Sequence, residues 1–173
     1  MQIRNVEIKL SLEDGPAARE AIARVADGPP EVLEQRDSYL EAEGGYLKLR
    51  EENGSATLVA YRRSRDARPR PSDIRLMRVE DPDTLLDTLG AVLAPGPVVV
   101  KRRELSFRGQ TRIHLDEVDE LGWFLELEVV LEPGQSDAEG LEIAERLLED
   151  LSLSGARAQR ESYRDLLVAA RGD

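Results

Sequence analysis

Charge alternates with aliphatic side chains at a period of two in several separate stretches of this chain. The clearest are Asn5-Val6-Glu7-Ile8-Lys9, Lys48-Leu49-Arg50, Arg112-Ile113-His114-Leu115-Asp116 and Glu126-Leu127-Glu128. A strand sends successive side chains to opposite faces, so each of these segments has one charged and one apolar face as a strand. On a helix the same residues would scatter around the axis. The apolar faces need a partner layer, and the chain supplies it as helices.

Those helices are readable between the strands. Strand-like alternation over 3–12 is followed by Ala18, Ala21, Ile22 and Val25 on one face of a helix over 17–26, which Gly28-Pro29-Pro30 ends. An extended stretch over 32–42 precedes a Gly44-Gly45 turn. Residues 46–51 then face 56–63 across Asn53-Gly54, a two-residue hairpin signal. An arginine-rich, proline-bearing loop follows up to a strand over 74–79. Asp81-Pro82 opens a helix carrying Leu85, Leu86, Leu89 and Val92. The second half repeats the scheme with strands over 98–107, 111–118 and 123–131. Ser136 and Glu139 form a capping box before a helix whose buried side would hold Leu141, Ala144, Leu147, Leu148 and Leu151. A last helix from about 161 carries Tyr163, Leu166, Leu167 and Ala170. Strands in runs, outnumbering helices, predict an antiparallel α+β barrel or wrapped sheet in one domain spanning 1–173.

Composition removes several classes of function. The net charge of -11 opposes general affinity for nucleic acid or an anionic membrane. No cysteine is present, so disulfides and thiolate metal sites are excluded. The segment over 1–9 has no apolar run and none elsewhere approaches a membrane span, which sets a cytoplasmic location as the expectation. Dimerisation through an exposed barrel edge or helix is compatible with the pattern, so a homodimer is an expectation that nothing in the chain localises.

The charged face has two readings. An antiparallel sheet with helices on one side ordinarily leaves its other side in water. Alternatively, the face lines a cavity. Only three lysines occur against twenty-one arginines, and all three, Lys9, Lys48 and Lys101, fall on these alternating segments, where a compact ammonium suits chemistry that a bulky guanidinium does not. Seven bases, Lys9, Lys48, Arg50, Arg63, Lys101, Arg103 and Arg112, would share the face, and in a cavity they require anionic charge among them. A phosphate-rich ligand meets that need. The carboxylates Glu7, Asp116, Glu126 and Glu128 supply hard oxygen ligands for Mg²⁺ or Mn²⁺, which makes the reaction metal-assisted phosphoryl or nucleotidyl transfer.

These segments, together with Gln35-x-Asp37-Ser38-Tyr39, Lys101-Arg102-Arg103 and the terminal Ser162-Tyr163-Arg164-Asp165-Leu166-Leu167, resemble in order the CYTH family of triphosphate tunnel metalloenzymes. The resemblance implies an eight-stranded antiparallel closed β-barrel with helices packed outside. It implies that Lys9, Lys48, Arg50, Arg63, Lys101, Arg103, Arg112 and Tyr163 bind a triphosphate-containing small molecule. It further implies that Glu7, Asp116, Glu126 and Glu128 hold Mg²⁺ or Mn²⁺, and that Glu7, Lys9 and Arg63 take part in catalysis. The family includes triphosphatases, thiamine triphosphatases and class IV adenylate cyclases. The expected function is therefore hydrolysis of an inorganic or organic triphosphate, with conversion of ATP to cyclic AMP and pyrophosphate, or binding with little turnover, as alternatives. One departure is visible. The family opens with Glu-x-Glu-x-Lys, and here Asn5 stands in place of the first glutamate. His114, the sole histidine, reads as a hydrogen-bonding partner in a charged strand, and Trp123 as packing.

Overall fold

The computed structural model describes residues 4–42, 45–61, 75–153 and 156–172. In chain order the elements are β1 (Asn5–Leu12), α1 (Gly15–Val25), β2 (Glu31–Ala42), β3 (Gly45–Glu52), β4 (Ser55–Tyr61), β5 (Arg75–Val79), α2 (Pro82–Gly90), β6 (Pro95–Arg108), β7 (Thr111–Val118), β8 (Gly122–Val130), α3 (Asp137–Asp150), β9 (Arg157–Ala158) and α4 (Tyr163–Arg171). The α+β class is as expected. The eight-stranded closed barrel is corrected: among the described residues the strands number nine, in the order β5-β4-β3-β2-β6-β7-β8-β1-β9, and the sheet they form is not closed. Two local causes account for this. Sequence periodicity cannot register a strand as short as β9, which pairs with Leu10 and Ser11 of β1. The sheet also runs out at β5 and β9 instead of joining them, so it is not closed. The predicted loop over 62–73, with the predicted site residue Arg63, and Ile74 of the strand expected over 74–79 fall outside the described residues.

The chain divides into two compact units. The first comprises Met1–Leu33 and Arg102–Ser162. Its core forms where the apolar faces of β1, β7 and β8 meet α1 and α3: Leu10, Ile113, Leu115, Leu125, Leu127 and Val129 pack with Ala18, Ala21, Ile22, Ala144, Leu147, Leu148 and Leu151. Asp14 caps α1 by accepting from the Ala17 amide, and Ser136 with Glu139 closes the capping box of α3. Both helices sit close to their neighbours through glycine. A Cβ on Gly15 would lie 2.0 Å from the Trp123 ring, and one on Gly140 would lie 2.5 Å from Leu131 Cδ2. Leu141 departs from its expected burial: it is 42% exposed, one position off the buried stripe of Gly140, Ala144, Leu147 and Leu148.

The second unit comprises Glu34–Lys101 and Tyr163–Asp173. The strands β2, β3, β4 and β5 form successive antiparallel pairs, with Leu49 completely buried. The Asn53-Gly54 turn works as predicted, both residues adopting positive φ (45° and 80°). Helix α2 begins at the expected cap, Asp81, but buries none of its residues, and Val92 lies beyond its end at 79% exposure. Its leucine stripe therefore packs only partially. Helix α4 buries Tyr163 and Leu167, while Ala170 is exposed.

Candidate active site

Register builds the site of the first unit. On β1, β8 and β7 the cross-strand partners form two rows. Glu7 stands opposite Glu128, which stands opposite Arg112; one step along, Lys9 stands opposite Glu126, which stands opposite His114. These residues project from the sheet face opposite the core leucines. Two carboxylates in one row and alternating sign in the other put opposite charges within direct reach.

The contacts follow from that array. Glu126 receives a hydrogen bond from His114 Nδ1 at 3.0 Å and has Lys9 Nζ at 3.7 Å and Arg103 Nη2 at 3.6 Å. With Glu126 ionised and able only to accept, His114 carries its proton on Nδ1. Burial pushes the Glu126 carboxyl up, but the His114 hydrogen bond and the charges of Arg103, His114 and Lys9 prevail and hold it at about 2. Glu7 goes the other way. The protein around its carboxyl and the negative charges of Glu126 and Glu128 raise it, against the attraction of Lys9 and Arg103. Glu128 accepts from Asn5 Nδ2 at 2.6 Å and from Arg112 Nη1 at 3.2 Å. The asparagine in place of the family's first glutamate thus donates a hydrogen bond and contributes no charge. Asp116 is completely buried, and its two oxygens accept from Arg103 Nε and Nη2, each at 2.7 Å.

The donor set fits a hard divalent cation. Glu7 is a carboxyl raised by the protein around it and by two neighbouring carboxylates, and a cation between the three would relieve the repulsion among them. No three His, Asp or Glu side chains are already drawn into a metal-holding group among the described residues. The reason is visible in the partners. Glu126 faces His114, Lys9 and Arg103, Glu128 faces Asn5 and Arg112, and Asp116 is forked to Arg103, so an ion would have to displace some of these cations and donors.

The second unit carries its own cation cluster. Asp37 of β2 stands opposite Arg50 of β3, and Tyr39 opposite Lys48. Asp37 accepts from Arg50 Nε and Nη2 at 2.7 Å and from Lys48 Nζ at 2.6 Å. Lys101 is buried at 4% exposure with its ammonium 4.8 Å from the Tyr163 ring centroid. Arg164, next in α4, bonds Glu41 and lies 5.5 Å from the centre of the Tyr46 ring, which anchors the helix carrying Tyr163.

Of the residues expected to act together, Glu7, Lys9, Arg103, Arg112, Asp116, Glu126 and Glu128 gather in the first unit. Lys48, Arg50, Lys101 and Tyr163 belong to the second. Sequence reasoning assigned no role to Asp37 or Arg164. Counting back from the expected Gly44-Gly45 turn would have put Asp37 opposite Glu52; the hairpin instead pairs Ala42 with Gly45, and that register brings Asp37 opposite Arg50. Trp123 packs as expected, against Gly15 and 5.3 Å from the Arg19 guanidinium. Among the described residues no helix is long and apolar enough to cross a membrane.

Several solved structures share this fold. The PH1012 protein of Pyrococcus horikoshii OT3 is 20% identical with a TM-score of 0.77, covering 94% of this chain and 99% of its own. A putative adenylate cyclase from Vibrio parahaemolyticus is 19% identical with a TM-score of 0.72, covering 94% and 97%. A putative adenylyl cyclase from Hippeastrum, described as having a dominant triphosphatase activity, is 12% identical with a TM-score of 0.63, covering 100% and 97%. At these identities the likeness establishes the fold alone. No curated protein sequence matches the chain. The CYTH domain family matches residues 4–163, which takes in both units and every charged row described above. The chain belongs to the CYTH domain family.

Proposed function

We propose that this protein is a divalent-metal-dependent triphosphatase acting on an inorganic or organic triphosphate. The observation that carries the reading is the row in which Lys9, Glu126 and His114 lie side by side, with Glu7 and Arg103 adjoining. It combines a carboxyl of raised proton affinity, a carboxylate held ionised, and cations within 4 Å of it. Such a face suits a phosphate chain that arrives with its metal ion. A divalent cation supplies neutralisation of phosphate oxygens when bound. Glu7, Glu126 and Glu128 would hold it, and Asp116 would join only by giving up its fork to Arg103. Each unit offers its own cations to phosphate oxygens, Lys9, Arg103 and Arg112 in the first and Lys48, Arg50 and Lys101 in the second. Arg63 and Tyr163 complete the proposed set. Lys9 and Arg103 stabilise charge that develops on the transferred phosphoryl group. Glu7, at the edge of this carboxylate group, is suited to orient the attacking water by accepting a hydrogen bond from it.

The named activity of the Hippeastrum relative supports hydrolysis over cyclisation in the same fold. One observation favours a binding role with little turnover: Asn5 engages Glu128 through a neutral amide where a carboxylate would add a metal ligand. Phosphorus NMR separates these readings when the protein is incubated with tripolyphosphate, ATP or thiamine triphosphate and Mg²⁺ or Mn²⁺. Orthophosphate release is the expected result. Pyrophosphate with cyclic AMP would replace the reading with a cyclase, and binding without turnover would replace it with a sensor.

A further inference from the structure

The β2–β3 hairpin places Tyr39 opposite Lys48, Asp37 opposite Arg50 and Gln35 opposite Glu52, all on one face. Asp37 is the hub of that face. It is 3% exposed and accepts three charge-assisted hydrogen bonds, one from the Lys48 ammonium and two from the Arg50 guanidinium. The fork takes the Nε–Nη2 edge of Arg50, which fixes the guanidinium plane and turns its opposite edge away from Asp37. The Lys48 ammonium is fixed from a second direction by the Tyr39 ring, 5.4 Å away at its centroid. Burial acts to raise the Asp37 carboxyl, yet the Arg50 hydrogen bonds and the Lys48 and Arg50 charges hold it well below the usual carboxylate range, so the hub stays ionised throughout the neutral pH range.

The same construction recurs in the first unit. Asp116, 0% exposed, forks Arg103 through Nε and Nη2 at the same 2.7 Å distances. A fully buried aspartate clasping the same edge of an arginine, in each unit, is a way of presenting a guanidinium in one orientation.

We infer that Asp37 is a positioning residue for phosphate binding: it holds Lys48 and Arg50 in fixed places before an anion arrives, so that the ligand meets ordered cations. The inference rests on the triphosphate reading given above. Lysine and arginine side chains carry much rotamer entropy, and a ligand that must itself order them binds more weakly. The role has an unusual signature because Asp37 also adds one negative charge to the site. If its charge were all that mattered, removing it would strengthen anion binding. If positioning matters, removing it weakens binding although the site has become more positive.

Isothermal titration of the full chain with inorganic tripolyphosphate decides between these, in EDTA to prevent turnover, with a parallel titration in Mg²⁺ and with thermal melts on each variant. Asp37→Asn is expected to weaken the Kd about tenfold, because the ligand must then itself order two rotamer-rich side chains. Asp37→Glu, which keeps the charge but moves the carboxylate outward by one methylene, is expected to bind more weakly than the wild type and more tightly than Asp37→Asn. A Kd for Asp37→Asn equal to or tighter than that of the wild type, whatever the change in melting temperature, overturns the inference. If Asp37→Asn does not fold, Asp37→Glu carries the test alone, since a charge-only role predicts the wild-type Kd for it. A wild-type protein that binds no tripolyphosphate in either buffer overturns the triphosphate reading, and this inference with it.

Discussion

Glu7 and Glu126 point the same way from neighbouring strands, yet their environments drive them in opposite directions. Glu126 has His114, Lys9 and Arg103 around it and stays ionised; Glu7, although its side chain reaches solvent, is raised by the protein around its carboxyl and by Glu126 and Glu128. Substitution should separate them. Glu126→Gln removes the carboxylate that orders three cationic or donor groups, and orthophosphate release with Mg²⁺ or Mn²⁺ should fall at least about a hundredfold, a typical cost for losing a preorganised electrostatic group. Wild-type turnover in a folded Glu126→Gln protein would sink the metal assignment. Glu7→Gln should give the contrary sign in stability. A carboxyl whose folded pKa lies above its unfolded value opposes folding once pH exceeds the unfolded value, so its removal relieves a cost at neutral pH. Melts in EDTA at pH 7 should show Glu7→Gln more stable than the wild type, and the rise in melting temperature on adding Mg²⁺ should shrink. Asp37 has a depressed carboxyl, so its contribution is fully present above the unfolded value of about 3.9 and is lost as pH falls through the folded one. Glu126, lowered to about 2, adds loss over the same acid range. Stability measured by urea titration should fall below about pH 4, with a shallower fall in Asp37→Asn.

At the scale of elements, the outcome depends on what lies on the other side of a pattern. Gly15 opens α1 against the Trp123 indole, where an added Cβ would come within 2.0 Å of a rigid ring. Alanine is the better helix former by about 1 kcal/mol, so propensity alone predicts that Gly15→Ala stabilises. Overpacking against the indole should win and destabilise by about 1–3 kcal/mol in urea titration, and an unchanged midpoint would show that α1 can shift away from Trp123. The same contrast explains what the sequence conveyed. The alternation on β1, β3, β7 and β8 identified strands and their charged faces because period two needs no partner to be seen. The leucines of α2 have the right spacing, but spacing says which side is apolar and not what covers it, so Val92 ended 79% exposed. Lys9, Glu126 and His114 were each visible as strand charges. Their assembly into one row was not, since it depends on the register of β1, β8 and β7, and no hairpin turn as short as Asn53-Gly54 fixes β1 against β8. The two-residue β9 has no periodicity at all.

On the triphosphatase reading, two fields of opposite sign act, at the scale of the whole molecule, on an arriving triphosphate. The net charge of -11 repels it at a distance, while buried or half-buried cations such as Lys9, Lys48, Lys101 and Arg103 attract it at contact. Salt does not weaken the two equally. Screening acts first on exposed charges separated by more than a Debye length, which shortens from about 30 Å at 0.01 M to about 10 Å at 0.1 M, and it reaches pairs in a partly buried site much less. The diffuse acidic surface should therefore be screened over this interval before the local cations are. Under the triphosphatase reading, kcat/KM for tripolyphosphate at fixed free Mg²⁺ should rise between those two ionic strengths, with kcat unchanged. This is opposite to the fall seen where a broad basic surface steers a polyanion. A steep decline over the same interval would mean that the cations of the site project their field into solvent, and that the acidic remainder of the chain has little part in admitting substrate.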